Sequence, residues 1–374
     1  ALKNLGCAGN SDQNTAVGAN SGRCTQNACY NTFVGAYAGG GKVVCGNRNT
    51  TVGYKAGCRI TSGLGNVFIG QYGGSGGDLT GEANIAIGDQ TGKCITSGAQ
   101  NIILGCTAGF DLTEGSRNVI IGQTAGANLT TGNENIAIGC GALGTAAVTG
   151  QQNIIMGKNA GTDITTGSYN IIFGRIAAQG LTEGQGNIAM GTGTLGGDNA
   201  TTVTGINNIM IGNQTAAAAT SACCNVLIGH LAGHCITEGS ENIMLGRYAG
   251  NQTTTGDNNI IMGTYVCASS ATASDELAIG CQTSRWICGD SSFNVTIAGI
   301  ATVSSATGIV SATKFCGDGS ALTGLAGFSP DAQGNLIAGT CAGEDLDGSS
   351  GVCNVFIGEC AGMNVTSGEH NTLL

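Results

Sequence analysis

The eighteen cysteines are the residues of this chain with the greatest capacity for chemistry, and only three histidines accompany them. Zinc sites are usually built from close Cys-x2-4-Cys pairs, often with histidine. Here the cysteines instead follow the positions of a short repeat, whose stacked copies would bring equivalent positions about 4.8 Å apart, within reach of a disulfide. We expect most of them to form disulfides in an oxidising environment, the alternative being small buried thiols in a reduced protein. The candidates are Cys7, Cys24, Cys29, Cys45, Cys58, Cys94, Cys106, Cys140, Cys223, Cys224, Cys235, Cys267, Cys281, Cys288, Cys316, Cys341, Cys353 and Cys360.

Two carboxylate pairs could supply the general acid and base of a polysaccharide-cleaving enzyme, namely Asp345 with Asp347 and Asp275 with Glu276. The first pair lies among Gly and Ser, where acidic residues usually form a solvated loop or, at best, a calcium site. His230 and His234 are four residues apart, a spacing that brings two side chains together on a helix but not in short strands. No nucleophile motif or phosphate-binding loop accompanies these residues. We therefore expect no enzyme, no cofactor and no resident metal.

The elements that position all these residues come from one repeated phrase, Asn-(Ile/Val/Thr)-x-(apolar)-Gly. A repeat of 17 or 18 residues, unbroken up to Asn187, predicts stacked copies of one small unit, none of which buries its apolar face alone. The phrase starts sixteen times, at Asn14, Asn31, Asn49, Asn66, Asn84, Asn101, Asn118, Asn135, Asn153, Asn170, Asn187, Asn208, Asn225, Asn242, Asn259 and Asn354.

One coil, residues 101–117, illustrates the predicted unit. Ile102 and Leu104 point to one side of a short strand, Gly105 lets the chain leave it, and a second short strand follows near Leu112. Stacked asparagines such as Asn101 can hydrogen-bond to the asparagine above and below. The sequence therefore predicts an all-β fold, a β-solenoid of 17–18-residue coils.

The middle residue of the strand is apolar in almost every coil, although it must face away from its two neighbours. Both faces of the strand would then require burial, and a continuous apolar ridge on one side of a solenoid indicates a lateral interface between proteins. The alternative is that the ridge packs inside the same chain. The predicted lateral ridge is Phe33, Phe68, Ile103, Ile120, Ile155, Ile172, Met210, Leu227, Met244 and Ile261.

The regular spacing of the repeat breaks twice, and these breaks divide the chain into parts. The interval from Asn187 to Asn208 is longer than the others, and after Asn259 the full phrase is lost until the end of the chain. A Ser/Thr/Ala/Val-rich stretch that contains Trp286 and Pro330 separates the two parts. We predict a β-solenoid over 1–263, an inserted irregular β-rich module over 264–334, and resumed solenoid coils over 335–374.

Composition excludes some partners and favours others. Thirteen Lys and Arg against 23 Asp and Glu give a net charge of −10, so we expect no nucleic acid partner. Glycine or asparagine interrupts every apolar run, so we expect no membrane insertion. The chain starts in mid-coil and stops within a strand, and such uncapped ends favour head-to-tail pairing. The predicted assembly residues are Ala1, Leu2, Leu5, Asn371, Thr372, Leu373 and Leu374.

The Asn-x-x-x-Gly coils resemble the repeats of trimeric autotransporter adhesin heads and of bacteriophage and giant-virus fibre proteins. Residues 308–325, which read GIVSATKFCGDGSALTGL, are similar to a phrase common in marine phage tail-fibre proteins. The resemblance implies elongated, often trimeric, extracellular fibres that project or adhere.

The leading hypothesis is a structural protein that assembles head to tail into a disulfide-reinforced fibre on a cell or virion surface, with copies of itself as partners. The second hypothesis is an adhesin or host-recognition tail fibre that binds surface glycans, for which Tyr265, Trp286 and Phe293 are candidate contacts. The third is ice binding, suggested by one threonine that recurs at the second bend of the coil.

Overall fold

The computed structural model of this protein describes residues 12–144, 147–197, 202–292, 295–297, 333–338, 341–346 and 351–374. Over these ranges the fold is all-β, and no helix is present that could cross a membrane. The chain divides into two units, Ala1–Ala301 and Thr302–Leu374.

The first unit contains one short strand per coil. Its parallel strands are β1 (Thr15–Val17), β2 (Thr32–Val34), β3 (Thr50–Val52), β4 (Val67–Ile69), β5 (Ile85–Ile87), β6 (Ile102–Leu104), β7 (Val119–Ile121), β8 (Ile136–Ile138), β9 (Ile154–Met156), β10 (Ile171–Phe173), β11 (Ile188–Met190), β12 (Ile209–Ile211), β13 (Val226–Ile228), β14 (Ile243–Leu245), β15 (Ile260–Thr264) and β16 (Leu277–Cys281).

Consecutive strands of this series, from β1 to β16, pair in parallel, and equivalent residues lie opposite each other. Ile103, for example, pairs with Ile120, which pairs with Ala137. The longer interval between β11 and β12 leaves this register unchanged, because Ile188 still pairs with Ile209. The predicted β-solenoid with 17–18-residue coils is therefore confirmed.

The glycine after each strand makes the first bend. Gly122 has a φ of +136°, and a Cβ atom built on it would lie 2.5 Å from the carbonyl oxygen of Gly139 in the next coil. Only glycine accommodates both this dihedral angle and this close approach of two backbones. The second bend is joined from coil to coil by isolated bridges, such as Leu129 with Val148, and by backbone hydrogen bonds.

The repeated asparagines form the predicted ladder. Asn118 donates from Nδ2 to Asn101 Oδ1 (3.0 Å) and to the Gly132 carbonyl oxygen (2.9 Å), while its backbone N–H donates to the same Asn101 Oδ1 (2.9 Å). Asn118 Oδ1 in turn accepts from the backbone and side chain of Asn135. The ladder asparagines from Asn31 to Asn259 are almost fully buried, so the ladder satisfies polar groups that water does not reach.

The solenoid extends one coil beyond the boundary predicted at residue 263, because β16 continues the parallel series. The change comes immediately afterwards. Strand β17 (Ser284–Gly289) turns back and pairs antiparallel with β16, and β18 (Val295–Ile297) pairs antiparallel with β17.

In the second unit the solenoid pattern resumes. Strands β19 (Leu336–Ala338), β21 (Val355–Ile357) and β23 (Thr372–Leu373) form one parallel sheet, and the short strands β20 (Gly351–Val352) and β22 (Gly368–Glu369) form another. The asparagine ladder resumes as well, since Asn354 Nδ2 donates to Asn335 Oδ1 at 3.0 Å.

Candidate functional site

The predicted lateral ridge lies in the core, so the prediction that its residues form an outer surface is wrong. All ten residues are fully buried: Phe33, Phe68, Ile103, Ile120, Ile155, Ile172, Met210, Leu227, Met244 and Ile261. The coil closes around this middle position, and apolar residues of the two bends, such as Ala125 and Leu129, complete the same interior. The alternative, that the ridge packs inside the same chain, is confirmed.

The outward face of the sheet is instead formed by the two residues that flank the middle position. From β4 to β16 both flanking residues of every strand are Ile, Val, Leu, Met or Phe. We call these two columns the outer apolar face. Its most exposed members, each near two fifths exposed, are Ile69, Ile85, Ile87, Ile102, Met190, Ile228, Ile243, Ile260 and Met262.

Within the described part of the chain the predicted disulfides are not formed. Free thiols are found at Cys24, Cys45, Cys58, Cys94, Cys106, Cys140, Cys223, Cys224, Cys235, Cys267, Cys281, Cys288, Cys341, Cys353 and Cys360. The backbone N–H of Cys29 donates to Asn47 Oδ1 at 2.7 Å, and Cys7 and Cys316 lie outside the described residues. In the first unit, cysteines seldom occupy the same position in adjacent coils. The stacking of the coils therefore places a cysteine beside a residue of another type. Cys94, for instance, lies against Asp111, with Sγ 3.9 Å from Oδ1.

Local surroundings change the acidity of some of these thiols. Burial raises the pKa of the Cys58 thiol, and the nearby Lys55 and Arg59 oppose that effect. Burial also raises the pKa of Cys94, and the negative charge of Asp111 raises it further. Both thiols are therefore poorer nucleophiles at neutral pH than an ordinary surface cysteine.

The threonine column of the second bend uses its hydroxyl groups inside the protein. The Oγ1 of Thr96 donates to the Thr113 carbonyl oxygen (3.1 Å), and that of Thr113 donates to the Thr130 carbonyl oxygen (3.2 Å). Thr165 and Thr237 make the same hydrogen bond to the coil that follows theirs. These protons are not available to an ice lattice, so the column gives no support to ice binding.

Of the two candidate catalytic pairs, the structure describes both members only for Asp275 with Glu276. The Glu276 carboxylate accepts from the backbone N–H of Ser269 at 2.6 Å and from its hydroxyl, and Asp347 lies outside the described residues. His230 stacks on Tyr248, whereas His234 Nδ1 lies 3.3 Å from the Gln214 carbonyl oxygen. No group of three or more His, Cys, Asp or Glu side chains that could hold a metal occurs in the described part of the chain.

Sequence reasoning missed two rows of aromatic and basic side chains along the first bend. In the first row Lys55 lies 5.2 Å from the Tyr54 ring centroid and 5.5 Å from that of Tyr72, and Lys93 lies 4.9 Å from that of Phe110. A hydrogen bond with Tyr54 raises the pKa of the Lys55 ammonium. The sequence contains a signal for this row, because all of these residues come shortly after the strand glycine. The row becomes visible only when the positions of neighbouring coils are compared.

The second row lies where the parallel series ends. Tyr248 and Tyr265 stack with centroids 4.3 Å apart and an angle of 10° between their planes, and Arg247 lies about 5 Å from both rings. Tyr265 also lines an open cavity of about 710 Å³, together with Gln252, Cys267, Gln282, Thr283 and Arg285. Trp286, another candidate glycan contact, is exposed on β17, and Phe293 lies outside the described residues.

Of the predicted assembly residues, the structure describes only those at the carboxyl end. Thr372 and Leu373 pair with Val355 and Phe356, and the Asn371 side chain continues the asparagine ladder. Leu374 is exposed. Ala1, Leu2 and Leu5 lie outside the described residues, and head-to-tail pairing stays a prediction.

Comparison with models of protein families, with curated proteins and with solved structures finds no match for this chain. The class of protein that the structure defines is a parallel β-solenoid with an asparagine ladder. The resemblance to adhesin heads and viral fibres stays a prediction.

Proposed function

We propose that this chain is a structural protein whose copies associate side by side through the outer apolar face to form an extracellular or virion-surface fibre. The observation that carries the proposal is the pair of apolar columns from β4 to β16. At about 4.8 Å per strand these columns extend roughly 60 Å along the solenoid. A continuous apolar patch of this length is typical of an interaction site rather than of scattered surface residues.

A second copy of the chain is the partner that fits this face best. The side chains recur once per coil at the strand spacing, so only a partner with the same period can place an apolar group against each of them in succession. The face contains no Lys, Arg, Asp or Glu between β4 and β16. Its burial would therefore remove apolar surface from water without stripping water from charges.

The net charge of −10 does not oppose such an association strongly. From β4 to β16 no charged residue lies in a strand, and charges farther apart than about 8–10 Å are largely screened at physiological ionic strength. The repeat resemblance supports an elongated, exposed fibre. Reinforcement by disulfides is not part of the proposal, because the described thiols are free.

The test compares two variants with the same change in charge. Ile87→Lys with Ile102→Lys places two ammonium groups on the outer apolar face, at side chains that are 39% and 40% exposed. Gln71→Lys with Gln123→Lys places them at exposed bend positions instead. Sedimentation velocity and negative-stain electron microscopy should show assembly of the unmodified chain and of the bend variant, but single chains for the face variant.

Circular dichroism identifies whether the face variant keeps its β-structure. Unmodified protein that remains a single chain at tens of micromolar would contradict the proposal. Assembly of a folded face variant to the same extent as the bend variant would also contradict it, because the outer face would then not be the interface.

A further inference from the structure

We infer that the cavity beside Tyr265 is a binding site for a sugar that carries a carboxylate, such as a uronic or sialic acid residue of a glycan. The cavity exists because the regular coil ends there. Strand β16 turns through Gln282 and Thr283 directly into the antiparallel strand β17, so among the described residues no regular first bend stacks on the one that contains Tyr265. Its volume of about 710 Å³ lies in the range of small-molecule sites.

Tyr265 supplies a flat surface for a sugar ring. Its ring is 39% exposed, and Tyr248, which comes one coil earlier, covers one face at 4.3 Å. The opposite face is directed toward the following coil, where Gln282 and Thr283 line the cavity. The stack through Tyr248 to His230 holds the Tyr265 ring in place, so little side-chain entropy is lost when a ligand packs on it.

Arg285 supplies the charge that selects a carboxylate. One of its terminal nitrogens donates to the Cys267 carbonyl oxygen at 2.9 Å, which fixes the guanidinium at the cavity. No carboxylate forms an ion pair with Arg285 or Arg247 among the described residues. A guanidinium group fixed in this way has donors left for a ligand carboxylate, and its planar fork suits that group.

The polar groups around the cavity are suited to the hydroxyl groups of a sugar. The side chains of Gln252, Gln282 and Thr283 offer both donors and acceptors, as ring hydroxyls require. The cavity is also small, which favours one or two sugar residues over a polymer bound along its length. This site does not depend on assembly of the fibre.

The experiment is a titration of the full chain with sugar probes, and binding is measured by calorimetry and by saturation-transfer NMR. The acidic probes are a hyaluronan tetrasaccharide, trigalacturonic acid and sialyllactose, which distinguish uronic from sialic acid. The matched neutral probes are the carboxyl-reduced forms of the same three oligosaccharides, so that the two members of each pair differ only at the carboxyl group. We expect at least one acidic probe to bind, and its neutral counterpart to bind about ten- to a hundredfold more weakly, as expected for loss of a charge-assisted hydrogen bond.

Variants locate the binding in the cavity. Tyr265→Ala and Arg285→Gln should each weaken binding of the acidic probe about tenfold or more, while Tyr265→Phe should retain it. The control Tyr169→Ala removes a more exposed tyrosine, 61% exposed, from another part of the solenoid and should have no effect. The face variant with Ile87→Lys and Ile102→Lys should bind as the unmodified chain does.

The neutral probes test the inference without any substitution, so a variant that fails to fold does not decide the result. Absence of binding by all three acidic probes would overturn the inference. Equal binding of acidic and neutral probes, or equal losses in the Tyr169 and Tyr265 alanine variants, would overturn it as well.

Discussion

Removal of one asparagine from the ladder should destabilise the solenoid far more than removal of an asparagine at the surface. Asn118→Ala takes away a side chain that is fully buried and that donates to Asn101 Oδ1 and to the Gly132 carbonyl oxygen. It also removes the acceptor of the Asn135 backbone N–H, at 2.9 Å. Two buried backbone groups, on Gly132 and Asn135, would then lose a hydrogen bond.

The magnitude follows from the cost of an unsatisfied buried polar group, about 1–3 kcal/mol each. For two such groups the free energy of unfolding should fall by about 2–6 kcal/mol. The matched control is Asn133→Ala, because the half-buried Asn133 makes one contact of this kind, in which its Oδ1 accepts from Ser116 N–H at 2.8 Å. Water can reach that site, so the expected loss is only about 0.5–1.5 kcal/mol.

Denaturant titration gives the two free energies, and hydrogen exchange with mass spectrometry gives their location. Because each coil contacts mainly its two neighbours, faster exchange should be concentrated in the coils from 101 to 152. If Asn118→Ala destabilises the chain no more than Asn133→Ala, the ladder is not a main source of stability and the reasoning fails.

Two further predictions concern the bends and the thiols. Gly122→Ala should lower the melting temperature more than Gly65→Ala, because a Cβ at Gly122 would meet the Gly139 backbone at 2.5 Å, whereas Gly65 has open space around it; equal shifts in calorimetry would contradict this. Alkylation of the native protein should modify the exposed Cys106 and Cys140 at neutral pH and should reach Cys94 only at higher pH, because a raised thiol pKa leaves less thiolate at any given pH. Asp111→Asn should move the alkylation profile of Cys94 to lower pH, as followed by peptide mass spectrometry, and an unchanged profile would mean that Asp111 does not act on this thiol.

The coil and its ladder could be predicted because each coil repeats the same local requirements. From β1 to β14 a glycine follows the strand at a fixed distance from an asparagine, and Gly122 shows why only glycine serves there. Repetition also fixes the register, since pairing of Ile103 with Ile120 is the one alignment that stacks every asparagine on the next. In the first unit the disulfide prediction failed because it used the type of position at which a cysteine occurs, while a bridge requires cysteines at the same position in adjacent coils. In the second unit Cys341 and Cys360 do occupy the same position in adjacent coils, and they contact each other as free thiols.

The cavity could not be predicted, because it depends on residues from three segments. Tyr265 and Cys267 belong to one coil, Gln252 to the coil before it, and Arg285 to an antiparallel strand whose direction the sequence pattern does not give. Tyr265 was a candidate from its residue type alone, and Arg285 was not a candidate.

The sequence by itself determined the period, the parallel stacking and the asparagine ladder, because these follow from local geometry that recurs in each coil. Only the tertiary structure decided which face of the strand is the core. In a strand such as Ile102–Leu104 all three side chains are apolar, so alternation gives two faces but does not say which one points inward. Closure of the coil decides, because the bend residues Ala125 and Leu129 lie on the side of Ile120 and enclose it, and the flanking residues are left on the outside.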